Sequence, residues 1–389
     1  MPSPDPARAR TFAALLARPR LCGTEEERAA AGRIREAFRE AGLETAEEFF
    51  HFRPSGDRVV REGLAAGLAG LALVYAGGLT SGWLAVAGLM WLAVLAVSGA
   101  ALARSRLLAR AREARETDAP PSGWVRASNV IGRSPGPAGG PLVVFVAHYD
   151  SKSQNMPIAV RMALFAVLGV AGVAGVELAL ARIVWGSLSP AFLHVAFAAA
   201  LLPALALLTL KTGNASPGAL DNASGVGILV ELARIWRDHP LSGKARAVFL
   251  APSAEEHGLI GSWLWVRRHA AELRGEGRLW VLNFDSCAGT SLVVLPGRCP
   301  ASGGVSVSEA FLSGAKSSGI RVRSMPLGVG MLADHVPFIE AGFSCASLLA
   351  RSRSLMRIHT PGDSADLLED EGFEAALRTT LAALGRLVP

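Results

Sequence analysis

The residues of this sequence best suited to chemistry are two histidines and five carboxylates. They are His148 and Asp150 in His148-Tyr149-Asp150-Ser151, Asp221 in Gly218-Ala219-Leu220-Asp221-Asn222-Ala223-Ser224-Gly225, the pair Glu255-Glu256, Asp285 before Ser286, and His359 in Ile358-His359-Thr360-Pro361-Gly362-Asp363-Ser364. Imidazole nitrogen with carboxylate oxygen is a ligand set for zinc, and a carboxylate shared by two ions suits a co-catalytic pair. Taken singly, each residue has a plainer explanation. A lone histidine is more often a satisfied structural residue. An aspartate ahead of a helix is an N-cap by type. A Glu-Glu dipeptide commonly lies on a solvated face.

Residues so far apart need a scaffold that brings them together. Apolar runs at 142–147, 247–251, 279–285, 291–295 and 345–349 predict strands. Periodic segments at 226–236, 259–269, 307–317 and 372–387 predict helices. Ahead of them, 25–41 predicts an amphipathic helix with Thr24 as N-cap and Gly42 as its stop. Strands alternating with helices, the strands apolar almost throughout, imply an α/β fold: a three-layer α/β/α sandwich with a mixed, largely parallel central sheet. Such sheets bind ligands beyond the carboxyl ends of their strands. His148, Glu255-Glu256 and Asp285 fall at those ends.

In order and type, these motifs resemble the zinc-dependent exopeptidase family of bacterial leucyl-type aminopeptidases, glutamate carboxypeptidases and glutaminyl cyclases, on its aminopeptidase-like branch. The resemblance rests on His148-x-Asp150, Asp221-Asn222-Ala223-Ser224-Gly225, Glu255-Glu256-His257-Gly258-Leu259-Ile260-Gly261-Ser262, Asp285-Ser286 and the segment from His359 to Ser364. Ser128-Asn129-Val130-Ile131-Gly132, Ala333-Asp334-His335-Val336-Pro337-Phe338 and Cys22-Gly23-Thr24 add to it. It implies two zinc ions per chain as the only cofactor: His148 and Asp285 on one, Glu256 and His359 on the other, Asp221 bridging. It also implies that Asp150 holds the far nitrogen of His148. Glu255 is then the general base, taking a proton from a metal-bridging water and passing it to the leaving amine.

The family pattern is broken at two places. His148 and Asp221 are 73 positions apart, where the family has a short loop. Ile358 precedes the last histidine, where some members carry an oxyanion-donating Tyr and cyclases tend to have Trp. The missing Trp and the run from Gly258 to Ser262 favour an aminopeptidase acting on peptides with a free N-terminus. The string from His148 to Lys152 is also cyclase-like, so a glutaminyl-cyclase-like acyltransferase or a carboxypeptidase is the alternative. A non-catalytic, receptor-like protein is the third reading, though it would be expected to have lost ligands.

Composition explains the long gap. Of 389 residues, 51% are hydrophobic and 19% charged, with mean hydropathy +0.34. That excludes a disordered chain, and four cysteines exclude a disulfide-stapled scaffold. From Gly63 to Ala103 there is no charged residue, enough for two spans of about 20 residues each. The stretch 63–103 therefore predicts a transmembrane hairpin, turning near 77–82. A second, 158–210, predicts another, turning at 185–190, although Arg161, Glu177, Arg182, His194 and Pro203 interrupt it. The catalytic domain is then spliced from 1–60, 105–157 and 211–389, and all three pieces must lie on one side of the bilayer.

The net charge of +6 comes mostly from scattered arginines. The run Arg104, Arg106, Arg110, Arg112 and Arg115 directly follows an apolar stretch, which points to a membrane flank and not to nucleic acid. With Arg58, Arg61, Arg161 and Lys211 it predicts a multi-pass protein of the inner or plasma membrane with its catalytic domain in the cytoplasm. The first 21 residues hold no apolar run long enough for a signal peptide. Cys22, Cys287, Cys299 and Cys345 then read as reduced thiols. Glu177 and His194 stand at similar depth in the second hairpin and are expected to pair. Gly63, Gly67 and Gly70, with Gly169, Gly172 and Gly175, would let helices approach closely, within the chain or in an oligomer.

Overall fold

The computed structural model describes residues 3–54, 58–80, 82–115, 121–137, 139–186, 188–299, 304–327 and 332–388. Ser81 and Ser187, in the two predicted turns, lie outside the described residues, as do the side chains of Arg104, Arg106, Arg110 and Arg112. The strands are β1 (Glu44–Phe52), β2 (Val125–Arg133), β3 (Leu142–Val146), β4 (Ser153–Gln154), β5 (Thr212–Gly213), β6 (Arg246–Ala251), β7 (Leu279–Phe284), β8 (Ser291–Pro296), β9 (Arg321–Ser324) and β10 (Ser344–Ala350). The α-helices are α1 (Pro6–Leu16), α2 (Glu25–Glu40), α3 (Arg58–Leu79), α4 (Gly82–Glu113), α5 (Ile158–Trp185), α6 (Pro190–Leu208), α7 (Ser224–Trp236), α8 (Ile260–Gly275), α9 (Val307–Ser317), α10 (Val336–Ala341) and α11 (Asp370–Leu387). They form two units: residues 1–54, 110–153 and 213–389, and residues 55–109 and 154–212.

The first unit is built on an eight-stranded sheet in the order β1-β2-β6-β3-β7-β10-β8-β9. The central pairs β6–β3, β3–β7 and β7–β10 are parallel, as is β8–β9. Pairs β1–β2, β2–β6 and β10–β8 are antiparallel. The sequence of β3, Leu-Val-Val-Phe-Val, is buried at every position because both faces of the sheet are covered. Val143 and Phe145 join a core with Phe38, Leu229, Phe311 and Leu384, residues of α2, α7, α9 and α11. Leu142, Val144 and Val146 join the opposite core with Trp265 of α8 and Phe338 of α10. The fold is thus α/β with a mixed, mostly parallel sheet.

Helix α2 begins where Thr24 accepts a hydrogen bond from the Glu27 amide, and Gly42 follows it with φ +79°. Strands β1 and β2 are not evident from apolar content. β1 is an edge strand that leaves Glu44 exposed and mixes charge with aromatic residues, and β2 carries Arg126, Ser128 and Asn129 among its apolar positions.

The second unit consists of apolar helices. Val60–Leu79, Ile158–Trp185 and Pro190–Leu208 are each long and apolar enough to cross a membrane, and Gly82–Ala96 is a shorter apolar segment. Close contacts rest on small residues: a Cβ on Gly77 would lie 2.1 Å from the Ala85 nitrogen, and one on Gly88 would lie 2.7 Å from the Gly70 oxygen. Of the glycines expected to let helices approach, Gly70, Gly172 and Gly175 have neighbours in this unit, whereas Gly63, Gly67 and Gly169 have open space beside them. Arg182 ties the two helix pairs together, donating to the carbonyls of Gly78 (3.0 Å) and Leu188. The expected Glu177–His194 pair is not formed among the described residues. His194 Nδ1 instead meets the Tyr75 hydroxyl at 2.7 Å, while Glu177 lines a groove beside Gly63, Gly67 and Gly169. On α5, Glu177 faces the groove beside α3.

Candidate active site

All seven candidate side chains lie in the first unit, and the sheet brings them to one place. His148 and Asp150 follow β3, Glu255 and Glu256 follow β6, Asp285 follows β7, and His359 lies beyond β10. These are the carboxyl ends of parallel neighbours, where the strands splay and loops can converge. Asp221 arrives from the short turn Ala219–Ala223, immediately ahead of α7.

Asp221 sits between the two histidines. Its Oδ1 is 3.3 Å from His148 Nε2, and its Oδ2 is 3.1 Å from His359 Nε2. Glu256 Oε1 lies 3.3 Å from that same His359 nitrogen. Ligand atoms of His148, Asp221 and Asp285 form one group and those of Asp221, Glu256 and His359 a second, each within 4.8 Å throughout, so Asp221 is common to both. Asp150, fully buried, stands behind. Its Oδ1 is 3.5 Å from His148 Nδ1, and its two oxygens accept the amide hydrogens of Glu255 and Glu256, both at 3.2 Å. One carboxylate therefore orients the imidazole and also fixes the turn that carries both glutamates. Glu255 Oε2 is 3.9 Å from His148 Nε2.

The donor set fits a pair of zinc ions. His148 Nε2 and Glu256 Oε1 are buried without a hydrogen-bond partner among the described residues, an arrangement that costs free energy unless a cation completes it. The charge balance says the same. Burial raises Asp285 to about 7, with Asp221 adding to the rise. Burial also raises Glu255 well above the carboxylate range; His148 opposes this, while Glu256, Asp334 and Asp285 add to it. Glu256 is the exception: burial pushes it up, but Lys152 and His359 overcome this and bring it down to about 2.

Backbone conformation singles out the same place. Among the described residues the non-glycine positions with left-handed φ are Ala254, Leu259, Ser286 and His359, which flank or are the candidate ligands. Each costs about 1–3 kcal/mol and persists where the surroundings enforce it.

Two residues to which the sequence assigned no role are prominent here. Lys152 holds the outer oxygen of Glu256 at 2.9 Å. Arg20, in sequence one of many scattered arginines, is wholly buried beneath the site. Neither stands in a spacing that signals a ligand. Behind Asp150, the Cys22 thiol donates to its Oδ2 (3.4 Å) and lies 3.2 Å from Ser253 Oγ, which in turn donates to Glu27 (2.8 Å).

Residues 129–384 match the profile of Peptidase family M28. The chain belongs to that family. The aminopeptidase YwaD of Bacillus subtilis strain 168 is 32% identical over 181 residues, which cover 43% of this chain and 37% of that protein. The zinc aminopeptidase BSAP of Bacillus subtilis superposes with a TM-score of 0.57 at 15% identity, covering 98% of this chain and 94% of that one. A glutaminyl cyclase of Bacteroides thetaiotaomicron superposes with a TM-score of 0.56 at 14% identity, covering 100% and 98%. Both share the fold of this chain, so the fold alone does not distinguish peptidase from cyclase.

Proposed function

We propose that this M28 protein is a membrane-anchored zinc aminopeptidase that removes N-terminal residues from peptides. The observation that carries the reading is the pair of ligand groups sharing Asp221, with Glu255 beside them. His148 and Asp285 would hold one zinc ion, Glu256 and His359 the other, and Asp221 both. When bound, the zinc pair lowers the pKa of water and polarises the scissile carbonyl. Glu255 accepts the proton of the attacking water at a carboxylate oxygen. As the new C–O bond forms and the C–N bond breaks, it returns that proton to the leaving amine nitrogen. Its buried setting favours holding a proton between the two transfers. Asp150 keeps His148 in one tautomer and orientation, and Lys152 keeps Glu256 turned toward His359.

The anchoring reading takes 63–103 and 158–210 as transmembrane hairpins spliced into a catalytic domain of 1–60, 105–157 and 211–389. The catalytic domain then faces the cytoplasm of a multi-pass membrane protein. The apolar helices of the second unit and the arginines flanking them in sequence support this. The deciding experiment is a substrate panel on detergent-purified protein: aminoacyl anilides, C-terminally unprotected peptides and N-terminal glutaminyl peptides, each with chelator and with added zinc. Zinc-dependent anilide hydrolysis is the expected result. Cyclisation of the glutaminyl peptides without anilide hydrolysis would replace this reading with the cyclase one.

A further inference from the structure

The chain leaves the first unit after Ser153 and returns at Gly213, so the loop bearing His148 and Asp150 and the loop bearing Asp221 lie on opposite sides of the inserted segment. Arg20 stands between them. Its Nε donates to the carbonyl of Tyr149 at 2.6 Å, inside the His148–Asp150 loop. Its Nη2 donates to Gly218 at 2.8 Å and its Nη1 to Pro217, both in the loop that leads to Asp221. Nη1 also reaches Leu16 (3.0 Å) and Arg18 (3.2 Å), which anchor the guanidinium to the end of α1. Shorter links run alongside: the Arg20 amide donates to Ser151 Oγ (3.1 Å), which donates to the Ser216 carbonyl (3.2 Å), and the Leu21 amide donates to Asn214 Oδ1 (2.9 Å).

We infer that Arg20 is a positioning residue that closes the metal site across the insertion, holding the His148 and Asp221 loops in register through backbone carbonyls. The inference rests on the zinc reading above. A planar guanidinium presents donors in a fixed fork, so it can hold carbonyls from two loops at a set spacing; an ammonium is a point donor and cannot. The geometry at the far end is equally specific. Gly218 has φ +60°, and a Cβ there would lie 2.6 Å from the Ser151 Cβ, so the loops meet too closely for any side chain at that position. The Arg20 guanidinium has no carboxylate in ion-pair contact among the described residues, and the partners it donates to are backbone carbonyls. Burial lowers its pKa to about 10, with the nearby charges of Asp363, Asp150 and Asp221 opposing the fall, and it stays cationic at neutral pH.

The test uses the full-length protein in detergent and reads zinc affinity by competition with a chelating indicator, alongside far-UV circular dichroism and melting temperature. Arg20→Lys should keep the helical spectrum and bind zinc about 10–100-fold more weakly. Arg20→Gly should bind weakly and recover with added methylguanidinium. Leu384→Ala, in the core of α11, should lower the melting temperature without weakening zinc binding. Wild-type affinity in Arg20→Lys overturns the inference. So does a loss in Leu384→Ala that matches the Arg20 variants at equal melting temperature, because the effect is then general destabilisation. A wild-type protein that binds no zinc overturns the zinc reading first, and this inference with it.

Discussion

Glu255 and Glu256 leave one short turn in different directions. Glu256 meets Lys152 and His359, while Glu255 faces the His148 ring at 3.9 Å. Burial with mostly like-charged neighbours makes Glu255 the better proton carrier, and burial with cations makes Glu256 the better ligand. Glu255→Gln should therefore leave zinc affinity near wild type and lower kcat by about 10²- to 10⁴-fold. Retained turnover would remove Glu255 as the base. A second carboxyl gives a pH signature without touching the ligands. Burial lifts Glu27 to about 7, against hydrogen bonds from Ser253 and Tyr149 that lower it. The folded state then holds this proton more tightly than the unfolded chain does. Its contribution is complete below the unfolded carboxyl pKa and is lost as pH rises toward about 7, at most about 3 kcal/mol. The melting temperature of zinc-loaded Glu27→Gln should fall less than that of wild type between about pH 5 and about pH 8. Parallel curves would show that Glu27 titrates normally.

At the scale of elements, the docking of α8 decides where the glutamate turn sits. Gly261 in its first turn donates to the Ser253 carbonyl at 3.1 Å, and its own carbonyl accepts from Asn129 Nδ2 of β2 at 2.9 Å. A Cβ at Gly261 would lie 2.2 Å from the Ser253 oxygen. Gly261→Ala should cost about 1–3 kcal/mol of stability, read as a lower denaturant midpoint, and should reduce kcat as well because Glu255 and Glu256 move with the turn. A stable variant of full activity would mean that α8 can shift without carrying them. The candidate ligands were legible in sequence because each is a titratable residue in a short motif, beyond an apolar strand for His148, Glu256 and Asp285 and in a loop for Asp221 and His359. The core strands were legible for the same reason: residues buried on both faces read as continuous apolar runs. Arg20, Glu27 and Lys152 were not legible. Arg20 bonds to backbone carbonyls, which every sequence supplies, and Glu27 and Lys152 gain their partners only through folding. Strands β1 and β2 were hidden by polar residues at the sheet edge and beside the site. The Glu177–His194 pairing failed because depth along a helix does not fix the direction in which a side chain points.

For the whole molecule, the anchoring reading makes a topological demand. The three pieces of the catalytic domain share one site, so each insertion must cross the bilayer an even number of times. Protease added to sealed right-side-out vesicles should leave the catalytic domain intact, and protease added to inverted vesicles should digest it. Digestion from the outer face would refute the cytoplasmic placement. The position of the second insertion also bears on synthesis. Among the proposed ligands His148 alone precedes it, and Asp221, Glu256, Asp285 and His359 all follow. A chain emerging from the ribosome at about 5–20 residues per second must make every apolar helix before it can make a second ligand. On the anchoring reading, hydrolytic capacity would begin only after both apolar insertions have been synthesised, so a nascent chain would carry its anchor before it could act as a peptidase.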